Sequence, residues 1–116
     1  MPTVIEIKKY DVSYYAGGQN AGGYPYRAVI GLRDEADRFI AGAYFHHSPA
    51  TMPSADTRKT TGFISCHYNA TDYAEVLDIL RNEKPVYIEF DERTNVANVR
   101  TSAEPVGEGE SNITSI

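Results

Sequence analysis

Four side chains at helical spacing, Tyr73, Val76, Leu77 and Leu80, place the strongest limit on how this chain can fold. They stand at i, i+3, i+4 and i+7, one stripe of a 3.6-residue period, and predict an amphipathic helix over 70–83. Asn69 or Thr71 can accept the free amide hydrogens of the first turn, and Asp72 suits the positive end of the helix dipole. Arg81 and Lys84 sit at the negative end, and Pro85 forbids continuation. Burying four such side chains is worth about 6–12 kcal/mol before entropy is subtracted. A helix apolar on one side needs a sheet to lie on, so a charge at Leu77 is expected to unfold the domain.

The rest of the chain reads as that sheet. In residues 3–15 the apolar face falls on odd positions first (Ile5, Ile7) and then on even ones (Tyr10, Val12, Tyr14). A period of two changes face only through an extra residue, so a bulge or sharp twist is expected at Lys8-Lys9. The alternative is that the two halves belong to different sheets. Tyr24, Tyr26, Ala28, Ile30 and Leu32 fall on one face of a second strand, and Phe39, Ala41, Ala43 and Phe45 on one face of a third. The charged stretch 33–37 between them suits a hairpin. A long polar loop, 47–61, precedes a strand at 62–68, and two strands around 86–91 and 96–103 follow the helix.

The expected fold is therefore α+β: a mostly antiparallel sheet of about six strands, in the order β-β-β-β-α-β-β, with one helix packed on one face. A length of 116 residues leaves room for one core only, assigned to residues 1–103, with 104–116 read as an acidic, disordered tail. Hydrophobic residues at 41% and charged residues at 23% argue against disorder elsewhere. The N-terminus lacks the basic and apolar regions of a signal peptide, no apolar run approaches a membrane span, and a single cysteine forms no internal disulfide. A cytoplasmic protein is expected. Residues 1–60 hold seven Lys/Arg against six Asp/Glu, and residues 61–116 four against ten. An acidic chain without a basic cluster is a poor binder of phosphate backbones.

No stretch has the spacing of a specific catalytic motif. The glycine-rich segment 17–23 is followed by a strand, so no helix N-terminus can hold a phosphate there. It also lacks the Gly-Lys-Ser/Thr ending of a nucleotide loop, and reads as a hairpin connection. Tyr14, Tyr15, Tyr24 and Tyr26 flank it and form a candidate aromatic surface, suited to a protein interface or, as a third alternative, to stacking of single-stranded bases. His46-His47 end one strand and Cys66-His67 lie in another. Neighbours in a strand point to opposite faces, so at most one of each pair can share a site. With Asp56 they make a conceivable three-ligand set, but the spacing is not that of a known metal site, and neither metal nor cofactor is expected. A Cys66–histidine nucleophile pair would need His46 or His47 to reach across, because Cys66 and His67 face apart. Arg58 and Lys59 in the 47–61 loop complete the candidate ligand-binding set of His46, His47, Asp56, Arg58, Lys59, Cys66 and His67. The first functional expectation is a small binding or protein-interaction module that self-associates as a dimer. The alternative is a small enzyme with its site at the root of the 47–61 loop, at His46, His47, Asp56 and Cys66. Expected partners are a second copy of the chain and an unidentified protein or small molecule, with no membrane, and nucleic acid enters only through the third alternative.

Overall fold

The change of face at Lys8-Lys9 divides one extended segment between two sheets. In the computed structural model, which describes residues 2–16, 25–103 and 105–106, the strands are β1 (Thr3–Ile7), β2 (Lys9–Tyr14), β3 (Tyr26–Arg33), β4 (Phe39–His46), β5 (Thr57–Arg58), β6 (Ile64–Asn69), β7 (Val86–Asp91) and β8 (Val96–Thr101). One helix, α1 (Tyr73–Asn82), lies between β6 and β7. β1 pairs with β7 in a three-stranded sheet ordered β1-β7-β8, and β2 with β3 in a five-stranded sheet ordered β2-β3-β4-β6-β5. At the crossing, the Lys8 N–H donates to the Arg33 carbonyl at 2.8 Å although Arg33 is the partner of Lys9. Two residues thus oppose one, as in a bulge, and the side chains change face while the strand changes sheet.

The fold is α+β and mostly antiparallel, with eight strands in two sheets among the described residues where about six in one were expected. The first expected strand is two strands, and the 47–61 loop contributes β5. That loop also holds a 3-10 turn at Pro49–Thr51, capped by Ser48 Oγ accepting from the Ala50 N–H at 3.2 Å. β4 and β6 run parallel, the one departure from antiparallel pairing among the described residues, because the chain must travel back through 47–63 before β6 begins.

The inner faces interlock large against small. Ala28 stands opposite Phe45, Ile30 opposite Ala43 and Leu32 opposite Ala41, while Ile64 and Cys66 flank the same alanines from β6. Ile5, Ile7, Val86, Ile88, Phe90 and Ala97 of the other sheet complete one core. On α1, Val76 is the deeply buried residue, while Tyr73, Leu77, Ile79 and Leu80 are half-buried against the core. Tyr73 stacks on Tyr14 at 5.2 Å and meets Phe45 edge-on at 5.3 Å, closing that end of the interior. The helix start differs from expectation. A 3-10 turn at Ala70–Asp72 leads into α1, and neither the Asn69 nor the Asp72 side chain caps it. No helix among the described residues is long and apolar enough to cross a membrane.

Asp56 joins the sheets. Its Oδ1 accepts the His67 N–H of β6 and its Oδ2 the Ala97 N–H of β8, both at 2.8 Å, while its own N–H donates to the Asn95 carbonyl at 3.1 Å. One carboxylate therefore serves two backbone donors that no strand pairs. Asp56→Ala is expected to lower unfolding free energy by about 2–4 kcal/mol, and Asp56→Asn by less, because one amide oxygen can still accept. Urea titration reads both. On α1, Val76→Asp should destabilise more than Leu77→Asp in the same assay, since Leu77 can turn a charge towards water.

Candidate functional site

The core-facing positions of β4 and β6 leave Gly42, Tyr44 and His46 of β4, and Ser65, His67 and Asn69 of β6, on the outer face of the five-stranded sheet. Parallel pairing puts Tyr44 beside His67 and His46 beside Asn69. A register shift between Tyr26 and Ala28 sets Tyr26 opposite His46, so Tyr26 leaves the face it was expected to share with Ala28, Ile30 and Leu32. The rings of Tyr26 and Tyr44 lie 5.0 Å apart, Tyr26 meets His46 edge-on at 4.9 Å, and Tyr44 stacks on His67 at 5.5 Å. Tyr44 can lie back over the sheet because residue 42 is glycine. A Cβ there would sit 3.0 Å from the tyrosine ring and hydroxyl.

At the centre of this face two imidazoles share a hydrogen bond. His46 Nε2 and His67 Nδ1 are 2.9 Å apart, and His46 Nδ1 is 2.9 Å from Thr51 Oγ1. The Thr51 hydroxyl donates to the Ser48 carbonyl at 2.9 Å, so its oxygen accepts from His46 Nδ1–H. His46 Nε2 of the neutral ring then accepts from His67 Nδ1–H. The chain of donors ends at His67 Nε2, which has no protein partner among the described residues. No buried side-chain nitrogen or oxygen among them is left unpaired, so this atom is open to solvent.

His46 is only 2% exposed. Burial holds its imidazole below the ordinary value of 6.5, and the neighbouring His67 pushes in the same direction. Burial also lowers His67, and the Asp56 carboxylate offsets part of that. Both rings are neutral at pH 7. Burial raises the Tyr44 hydroxyl, as does Tyr26 beside it, so it stays protonated as well. The patch formed by Tyr26, Tyr44, His46 and His67 is uncharged and aromatic and ends in one imidazole lone pair.

Of the residues singled out in the sequence, His46, His67 and Asp56 come together, with Asp56 holding the His67 backbone. Cys66 does not join them. It is 1% exposed on the core side, and burial pushes its thiol far above the ordinary thiol range, so it offers no thiolate to a histidine. His47 is exposed and contributes its N–H to the Pro25 carbonyl at 2.9 Å. Arg58 turns towards Glu92 at 4.0 Å, and Lys59 lies over the Phe63 ring at 5.8 Å. The tyrosines do not form one surface. Tyr14 stacks on Tyr73 at the inner side and Tyr26 lies on the outer side. Tyr15 is exposed at the end of β2, while Tyr24 and the glycine segment 17–23 lie outside the described residues, as does most of the expected tail. No group of three or more His, Cys, Asp or Glu side chains among the described residues converges as for a metal ion. Asp56 has both oxygens committed to backbone donors. Sequence reasoning missed Tyr44, and it read Thr51 as one of several hydroxyls of the 47–61 loop without pairing it with His46. The alternation that puts Tyr44 on the polar face with His46 was legible, whereas the Thr51 contact depends on the 3-10 turn.

The lowered histidines make stability depend on pH with a definite sign. As pH falls through 6.5 the unfolded chain binds protons that the folded pair resists, so stability is level above about pH 7 and declines from about 6.5 downwards. A double His46→Gln, His67→Gln variant should show little change in urea midpoint between pH 7.5 and 5.5; a decline as steep as that of the parent would show that other groups cause it. Comparison with family models, curated proteins and solved structures gives no match.

Proposed function

We propose that the chain is a small binding module whose ligand seat is the outer face of the five-stranded sheet around His67. One observation carries the reading: the Ser48–Thr51–His46–His67 chain of hydrogen bonds orients a neutral imidazole and leaves its Nε2 open. A buried, fully partnered histidine behind an accessible one is more than packing requires. Tyr44, stacked on His67, supplies a flat apolar wall beside that lone pair. The ligand class this suits is a planar molecule carrying one O–H or N–H donor. A cytoplasmic setting belongs to the same proposal, on the ground of the single unpaired cysteine.

A second reading, a small enzyme, draws on the same relay, because a general base needs its far nitrogen held by an orienting group. His67 would take a proton at Nε2 while His46 and Thr51 fix its tautomer. Its support is narrower, since the one thiol faces the core and no described side chain takes a nucleophile's place.

Phenol is a suitable probe. In a titration followed by NMR, shifts should centre on the rings of His67 and Tyr44 and weaken as pH falls below the ordinary imidazole value of 6.5, from which burial lowers His67. His67→Ala should reduce affinity about tenfold, the loss of one hydrogen bond. Shifts of equal size in His67→Ala, or spread over the whole surface, would remove this face as the seat.

A further inference from the structure

The two sheets have four edges, and three are protected. On β8 the Ala97 N–H is taken by Asp56. β5 is only two residues long. β1 is entered from Pro2 and carries Glu6, ion-paired to Lys8 at 3.3 Å. β2 is different: all six residues are exposed, including Tyr10 at 36%, Val12 at 39% and Tyr14 at 65%.

The pairing of β2 with β3 determines what that edge offers. The Tyr15 N–H donates to the Arg27 carbonyl at 2.8 Å, one step beyond the Tyr14–Ala28 pair, so odd residues of β2 bond to β3. The N–H and C=O groups of Tyr10, Val12 and Tyr14 therefore point away from the sheet. A second copy laid antiparallel along this edge must pair even residue with even residue. The strand is usable only from Lys9, because the bulge at Lys8 bends it, to Tyr14, where it ends. Two registers fit. One centres on Asp11 and sets carboxylate against carboxylate across the two-fold axis, which like-charge repulsion disfavours. The other centres on Val12: Val12 faces its own copy, Tyr10 faces Tyr14 and Asp11 faces Ser13. No like charges meet, and aromatic pairs flank the axis.

We propose that the chain forms a symmetric dimer through β2, in the register centred on Val12, joining two five-stranded sheets into one continuous sheet. The contact is small, so association depends on concentration. This interface rests on β2 alone and is independent of the His67 seat.

Ser13 provides a test specific to that register, because its side chain is exposed and its partner is the Asp11 of the second copy. Sedimentation velocity of the full chain from about 10 μM to about 1 mM should show a 12.9 kDa monomer giving way to dimer. Ser13→Asp, which sets carboxylates face to face, should weaken the dimer about threefold to tenfold, and Ser13→Lys, facing Asp11, should strengthen it by a similar factor. Circular dichroism and melting confirm that each variant folds. A parent and Ser13→Lys variant that stay monomeric throughout would overturn the proposal, as would a Ser13→Asp variant that dimerises like the parent.

Discussion

Two sheets that share an interior must be held in mutual register, and in this chain the carboxylate of Asp56 supplies a direct tie. Sheets pack face to face through side chains that give little direction, whereas a hydrogen bond to a backbone N–H is directional. Asp56 makes one such bond to each sheet, so β6 and β8 cannot slide past one another without stranding a donor. Lys8 is the covalent counterpart at the other side, where one extended segment leaves the three-stranded sheet and enters the five-stranded one. Between these ties the alternation of large and small residues across β3, β4 and β6 fills the interior. Tyr73 of α1 closes it at the Tyr14–Phe45 end.

With the inner faces given over to packing, the polar chemistry of β4 and β6 is confined to the outer face. His46 illustrates the physical problem: an imidazole almost without solvent contact must have both nitrogens satisfied, and Thr51 and His67 meet that demand. The facing nitrogens can hold one proton between them, so the pair behaves as a unit. A second proton would set donor against donor. Tyr44 lies back over the sheet because Gly42 leaves it room, Tyr26 meets His46 edge-on, and the two rings shield the pair without adding charge.

Much of this was legible in the residues. The stripe of α1, the inward faces of β3 from Ala28 to Leu32 and of β4 from Ala41 to Phe45, and the fault at Lys8-Lys9 all follow from periodicity, because a side chain's face in a helix or strand is set by local geometry. Phe39, expected on that inward face, is instead exposed beneath the Arg33 guanidinium, because a register shift between Leu32 and Arg33 sets it opposite Arg33. Alternation also established that only one of His46/His47 and one of Cys66/His67 could meet, and the pair that forms obeys that rule. Other features were beyond a local reading. Tyr26 changes face through a register shift that its own alternation does not signal, and β5 is too short to show any period. The roles of Thr51 and Asp56 depend on where a loop returns.

The sequence by itself thus determined which residues are apolar on which side of each element, and with that the α+β class, since those choices depend on neighbours within a few positions. Only the tertiary structure decided that β4 and β6 run parallel, that the sheet is two sheets, and that His46 and His67 stand 2.9 Å apart. Periodicity states that a face is buried but leaves open which face covers it. That choice rests on contacts between residues far apart in the chain, and here the Asp56 carboxylate, bound to β6 and β8 together, is the clearest of them.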